Sequence, residues 1–130
     1  MRPGHALAID TILIVEDDVF ISMDAADAVA RAGVNVITTE SVSDALDILD
    51  HEHISGAILD FQVRDGTVTP LVQRLLRLGI PFRVVSGSAI SEIEQNGIAR
   101  SLCAPKPADY RKVLTAVMGD RLSVPSQGRH

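Results

Sequence analysis

Residues with chemical potential stand where apolar runs of this chain stop. Glu16-Asp17-Asp18 follows Thr11 to Val15, Asp60 follows Gly56 to Leu59, Ser86-Gly87 follows Pro81 to Val85, and Lys106-Pro107 comes shortly after Ile98 to Cys103. Carboxylates gathered at one place repel one another and lose hydration unless a cation offsets them. An all-oxygen set of this kind suits Mg2+, with Asp17 and Asp60 as direct ligands and Glu16 placed to hold a metal-bound water. No cluster of Cys and His has metal-ligand spacing, which disfavours zinc. A carboxylate beside such a cation can also attack phosphorus and form an aspartyl-phosphate. The transferring group then needs donors at its equatorial oxygens. Lys106 offers an ammonium, Ser86 a hydroxyl, and the backbone near Gly87 its N–H groups, which leaves Asp60 the role of acceptor.

Taken singly, each residue has a plainer reading. Asp17 and Asp60 are also what solvated strand-end caps look like, Ser86 an ordinary turn serine, and Lys106 a solvated charge. Asp18 fits equally an adjunct of the acidic cluster and the N-cap of a following helix. The weight comes from their coincidence, and from Gly87 and Pro107, which set how closely and in what direction the backbone approaches. Cys103 reads as a small buried hydrophobe and Tyr110 as a packing residue in the first turn of the last helix. A metal-dependent hydrolase would use a similar arrangement. Against it, none of His5, His51, His53 or His130 falls on a loop near Asp60 where a further acid or base is needed.

Convergence requires parallel strands. Thr11 to Val15 is short, β-branched and continuously apolar, as for a strand covered on both faces. A helix over Val19 to Ala32 follows, with Val19, Met23, Ala26, Val29 and Ala30 as its apolar stripe, and Gly33 ends it. Val34 to Thr38 is the second strand. Ser41 with Asp44 opens a helix whose Val42, Ala45, Leu46 and Leu49 share a side. Gly56 to Leu59 is the third strand, and Asp65-Gly66 a turn. Leu71, Val72, Leu75, Leu76 and Leu78 form the face of a third helix. Pro81 to Val85 is the fourth strand, Ala89 to Gln95 a short helix, Ile98 to Cys103 the fifth strand, and Ala108 to Met118 the last helix, with Tyr110, Val113, Leu114 and Val117 turned inward. Five βα units predict an α/β fold with right-handed crossovers, helices on both faces of a parallel sheet, and the site at its carboxyl edge.

At 130 residues the chain holds one core: residues 1–10 read as a flexible leader, 11–119 as the domain and 120–130 as a flexible tail. That length leaves no room for an attached output domain. Twelve Lys and Arg scattered against 17 Asp and Glu, net charge −5, give no footprint for nucleic acid. A single cysteine, no signal-peptide pattern and no membrane-length apolar run make the cytoplasm the default location.

In this order and spacing the segments Ile12-Leu13-Ile14-Val15-Glu16-Asp17-Asp18, Ala57-Ile58-Leu59-Asp60, Asp65-Gly66, Val84-Val85-Ser86-Gly87 and Lys106-Pro107 resemble the CheY-like receiver domain of two-component response regulators, across Thr11 to Gly119. The resemblance implies a doubly wound (βα)5 sandwich, flavodoxin-like, with strand order 2-1-3-4-5. It implies a single-domain response regulator whose Asp60 accepts a phosphoryl group from a histidine kinase or histidine phosphotransfer protein with Mg2+. Glu16, Asp17, Asp60 and the Gln62 carbonyl would then be the metal set. Ser86, Gly87, Lys106 and a cis Pro107 would be the phosphoryl-contacting switch. Such a protein signals through a downstream protein target or a phosphorelay and is not an enzyme beyond slow self-dephosphorylation. The segment from Gly79 to Phe82 further resembles stand-alone receivers of alphaproteobacteria. The resemblance also places the output face on Ser88 to Gln95, the fifth strand edge and Tyr110 to Val117. Two positions depart from the family pattern. Cys103 stands where an aromatic switch residue is usual, and Arg64 stands where proline is common, leaving that loop freer and its guanidinium able to reach an acidic group on a partner. A constitutive binding protein with a vestigial site, a pseudo-receiver with little or no phosphorylation, is the alternative.

Overall fold

The computed structural model describes residues 9–129, with side chains described to residue 119. Among the described residues there are seven strands: β1 Thr11–Val15, β2 Asn35–Thr39, β3 Gly56–Leu59, β4 Gln62–Val63, β5 Gly66–Thr67, β6 Phe82–Ser86 and β7 Cys103–Pro105. The helices are α1 Val19–Arg31, α2 Val42–His51, α3 Thr69–Leu78, α4 Ile90–Gln95 and α5 Tyr110–Arg129. Five strands form one sheet in the order β2-β1-β3-β6-β7, all neighbours parallel, which is 2-1-3-4-5 when only the sheet strands are counted. The antiparallel β4–β5 hairpin stands apart, between Asp60 and α3.

Alternation along the central strands divides the core. Leu13, Val15, Ala57, Leu59 and Val84 face one layer with residues of α2, α3 and α4, while Ile12, Ile14, Ile58 and Val85 face the other with α1 and α5. At Gly56 the α5 side chain of Val117 comes close to the sheet backbone. A Cβ there would lie 2.5 Å from Val117 Cγ1, 3.1 Å from Ile12 Cδ1 and 3.4 Å from the Pro81 carbonyl oxygen.

Helix starts follow local chemistry. The Ser41 hydroxyl accepts from the Asp44 N–H at 3.1 Å, and Asp18 caps α1 by accepting from Phe20 and Ile21 N–H. Gly79, at φ 70°, closes α3 in the left-handed conformation.

The structure revises several expectations. Of the expected α1 stripe, Val29 is buried and Ala26 packs against the core, but Val19, Met23 and Ala30 are exposed, Val19 at 59% and Met23 at 62%; the buried face is completed by Ala25, with Ile21 and Ala28 beside it. Leu76 and Leu78 are likewise exposed, and only Leu71, Val72 and Leu75 are buried on α3. The last sheet strand is Cys103–Pro105, not Ile98 to Cys103. Arg100–Leu102 forms a 3-10 turn, and pairing of β7 with Val84, Val85 and Ser86 begins at Cys103. The apolar residue Ile98 that suggested an earlier strand is buried in the core from a loop. Helix α5 runs to Arg129, past the expected Met118. Of the expected leader and tail, residues 1–8, residue 130 and the side chains of residues 120–129 lie outside the description.

The Gly56 contact yields a direct expectation: Gly56→Ala overpacks the α5–sheet interface and lowers stability by about 1–3 kcal/mol, read as a drop in the urea midpoint. An unchanged midpoint would show that Val117 yields freely.

Candidate functional site

Backbone hydrogen bonds bring the chemistry to one edge. Glu16 N–H donates to the Thr39 carbonyl at 3.0 Å, Asp60 N–H to Val15 at 2.9 Å and Lys106 N–H to Ser86 at 3.0 Å. Each bond extends a parallel ladder by one residue, so the side chains after β1, β3 and β7 emerge together at the carboxyl ends.

Glu16 is 5% exposed and both its oxygens are engaged. Oε1 accepts from Lys106 Nζ at 2.8 Å, and Oε2 accepts from the Asp18 N–H at 3.0 Å. The same ammonium lies 3.2 Å from Asp60 Oδ2. Asp17 completes the group, for carboxylate oxygens of Glu16, Asp17 and Asp60 all lie within 4.8 Å of one another. Asp18 is outside it: its carboxylate is committed to the α1 cap, which settles its role in favour of capping. Three carboxylate oxygens at this spacing fit a small hard cation, and the donor set is the one Mg2+ prefers.

The electrostatics follow from burial. Glu16 is raised above the ordinary glutamate value mainly because burial disfavours its charge, with Asp60 adding and Lys106 and the Asp18 N–H opposing. Burial also pulls Lys106 down, but its hydrogen bond to Glu16 and the charges of Asp60 and Glu16 outweigh that, so it stands above the usual lysine value. Tyr110 lies beneath the site and is 7% exposed. Burial pushes its hydroxyl up to about 12, against the pull of Lys106 and with the help of Glu16 and Asp60. A cavity of about 10 Å³ between Glu16, Asp60, Val85 and Tyr110 has room for a single water at most.

Ser86 is 5% exposed at the end of β6, and its hydroxyl accepts from the Ser88 N–H at 3.0 Å, within its own turn. Gly87 is exposed beside it, and the Lys106–Pro107 peptide is cis. Gln62 is exposed in β4, paired with Thr67. Cys103 is half-buried against the core, with Sγ 3.5 Å from the Ala99 carbonyl, and burial raises its thiol, with Glu94 adding. That is the chemistry of a packing residue and not of a nucleophile.

Arg64 does not project toward solvent alone. It pairs with Glu40 at 2.9 Å, an exposed bridge worth about 0–1 kcal/mol, so its acidic partner lies within the chain. The sequence reading missed Asp65. Its carboxylate accepts from the Val42 and Ser43 N–H groups, at 2.8 and 3.0 Å, and caps α2 from the hairpin. Those bonds hold Asp65 below the usual aspartate value. No local signal reveals a cap 23 residues from its helix.

The sequence matches no family model and no curated protein. Solved structures are more informative. A CheY-like response regulator receiver domain protein from Methanospirillum hungatei JF-1 superposes with TM-score 0.80 at 22% identity, over 92% of this chain and 99% of that one. A response regulator receiver protein from Sinorhizobium medicae WSM419 gives 0.79 at 24%, over 89% and 97%. This chain has the receiver-domain fold. The receiver (REC) domain of the Erythrobacter litoralis PhyR response regulator has it too, with TM-score 0.75 at 20% identity over 88% of this chain and 93% of that one. In this receiver fold the acidic group sits at the carboxyl edge of β1 and β3, beside Lys106 from the end of β7.

The pair of shifts sets a pH dependence. Glu16, raised, contributes stability below 4.5 that is lost as pH rises through its folded value. Lys106, also raised, contributes stability below 10.5 that is lost only above it. The Lys106 ammonium thus faces a carboxyl group whose charge burial disfavours and which it helps to hold ionised. At neutral pH Lys106→Ala should cost about 3–5 kcal/mol by removing one partner of that buried pair. The loss should shrink as acid protonates Glu16, and Glu16→Gln in the same chain should recover much of it. Urea titrations at neutral and mildly acidic pH check this, and a loss independent of pH would refute it.

Proposed function

We propose that the protein is a phosphoacceptor signalling module, with Asp60 taking a phosphoryl group from the phosphohistidine of a histidine kinase or phosphotransfer protein in the cytoplasm. The observation that carries this reading is the Lys106 ammonium held 2.8 Å from Glu16 and 3.2 Å from Asp60, beside Asp17. A carboxylate flanked by a fixed cation and a cation-binding acid pair is equipped to become an acyl-phosphate; a strand-end cap needs neither.

In the proposed reaction an Asp60 carboxylate oxygen attacks phosphorus, the N–P bond of the phosphohistidine breaks, and its electron pair returns to the imidazole. Glu16, Asp17, Asp60 and the Gln62 carbonyl are the groups that would hold Mg2+. Bound there, Mg2+ would offset the gathered negative charge and supply electrophilic stabilisation to the phosphoryl group. Lys106 supplies a fixed positive charge beside Asp60, and Ser86 a hydroxyl from a buried strand end. The product carries more negative charge than the carboxylate it replaces, so the balance between Lys106 and its two carboxylates changes, and a protein partner or the next relay member reads the result.

An apolar shoulder stands beside the acids: Val19, Phe20 and Met23 are 59%, 78% and 62% exposed on the first turns of α1. Large apolar residues grouped on a surface mark protein contacts. We assign this shoulder to the phosphohistidine-bearing protein.

A small phosphoryl donor with Mg2+ should add one phosphoryl group, seen by mass spectrometry, and Asp60→Asn should abolish it. Asp17→Asn should require far more Mg2+. No incorporation into the native chain would favour a constitutive binding protein, and rapid repeated turnover a phosphatase. Phe20→Ala should slow transfer from a phosphohistidine protein by about tenfold, the scale of a contact hot spot, while leaving the small-donor rate alone. Equal slowing with both donors would remove the shoulder from docking.

The exposed Gln62 amide is placed two residues beyond Asp60, where it can orient or exclude attacking water. Gln62→Ala should therefore change the lifetime of the aspartyl-phosphate in purified protein. An unaltered decay rate would dismiss that role.

A further inference from the structure

The sheet has two outer strands, and they are not equivalent. In β7 the residue paired inward is Ala104, opposite Val85, so Cys103 and Pro105 turn their backbone outward, and Pro105 has no N–H to offer. In β2 the inward residues are fixed by the ladder: Asn35 N–H donates to Asp10, and the Thr39 carbonyl accepts from Glu16. Alternation then turns the N–H and C=O of both Val36 and Thr38 outward along an edge with no proline. Thr38 is exposed.

The carboxyl end of that edge, Thr38 and Thr39, is the floor of an open trough. One stretch, about 480 Å³, lies between Val19 and Ser22 of α1 and Asp44 of α2; the next, about 420 Å³, continues past Asp47, Ile48 and Glu52, and both share Thr38, Thr39 and Asp44. The two walls differ. The α1 wall offers a hydroxyl and an aliphatic side chain. The α2 wall offers Asp44, Asp47 and Glu52, none of them in an ion pair among the described residues, while Glu40 at the end of the trough is bound by Arg64. The one basic group in the trough, His51, spends its ring Nδ1 on the Asp47 carbonyl.

We propose that the β2 edge is a docking site for an extended segment of a partner protein that adds as a sixth strand and carries Lys or Arg at every second position. An added strand would find four outward backbone groups on Val36 and Thr38. Its alternate side chains would point to the α2 wall, where three carboxylates select positive charge. A second copy of this chain is disfavoured by the same charges, since pairing two β2 edges would set acidic rims against one another. The carboxylates thus guard the edge against self-association and leave it open to a basic strand.

The test uses the whole chain and a fluorescent seven-residue peptide of alternating Lys and Thr. A Glu–Thr peptide and a Lys–Thr peptide N-methylated on alternate amides serve as controls. The Lys–Thr peptide should bind by anisotropy, weaken with salt, and slow hydrogen exchange at the Val36 and Thr38 amides. Reversing two carboxylates, Asp44→Lys with Asp47→Lys, should weaken it by about tenfold, as expected for two exposed ion pairs together. Thr38→Pro removes an outward N–H without touching the β1 ladder, and should also weaken binding. If that variant fails to fold, loss of binding by the methylated peptide carries the same information. Binding with no protection at Val36 and Thr38, or equal binding of the methylated peptide, would mean simple charge adhesion and overturn strand addition. Absence of binding, or self-association through this edge on sedimentation, would overturn it equally.

Discussion

A buried glutamate that shares its lysine with an aspartate is the constraint around which the carboxyl edge is organised. Glu16 has lost nearly all its water, and an unpaired carboxylate in that position would be expensive. Lys106 offsets the cost, but it arrives from 90 residues away and must be delivered within hydrogen-bond distance. The sheet order makes this possible by placing β3 and β6 between β1 and β7. Lys106 follows immediately on Pro105, which is in register with Ser86, and its N–H is bound to the Ser86 carbonyl. The strand register and the ion pair are therefore one requirement: a slip of a single residue in β7 would turn the lysine to the other face.

The loop beyond Asp60 is fastened in a way its composition does not advertise. Arg64, in place of a φ-fixing proline, ought to loosen it. The loop instead folds into the β4–β5 hairpin and is tied to the start of α2 by the two hydrogen bonds of Asp65 and the Arg64–Glu40 bridge. Order lost from the backbone is recovered through side chains that reach another element. Gln62 and the first turn of α2 thus belong to one connected unit, and displacing the hairpin requires uncapping the helix.

What the sequence disclosed, and what it withheld, divides along the range of the interactions. Central strands β1 and β3 were legible to the residue because burial on both faces leaves an unbroken apolar run, and Ser41 and Gly79 marked helix ends through purely local chemistry. Strand β7 was misplaced because an edge strand of three residues has little pattern, and its bounds come from pairing with β6. Val19 and Met23 share the spacing of Ala26 and Val29, yet only the latter two reach the core, because the face centred on Ala25 and Val29 is the one that meets the sheet. At the site, residue types and strand-end positions nominated Glu16, Asp17, Asp60 and Lys106. The commitment of Asp18 to a cap, the reach of Asp65 to α2 and the destination of Arg64 are contacts between distant segments, which no spacing rule encodes.

Cys103 bears on how a change at Asp60 can leave the pocket. Its side chain packs against the core and its thiol is held protonated by burial, so it offers neither the bulk nor the charge of a rotating reporter. The connection that remains is backbone. Lys106 touches both carboxylates through its ammonium and the end of β6 through its N–H, while Ser86 passes the link to Ser88 through its hydroxyl. A shift in the charge Lys106 must balance is thereby applied to a strand end and the turn that leads into α4. That short helix has no side-chain cap and only Ile93 buried, fewer buried residues than α1, α2 or α3.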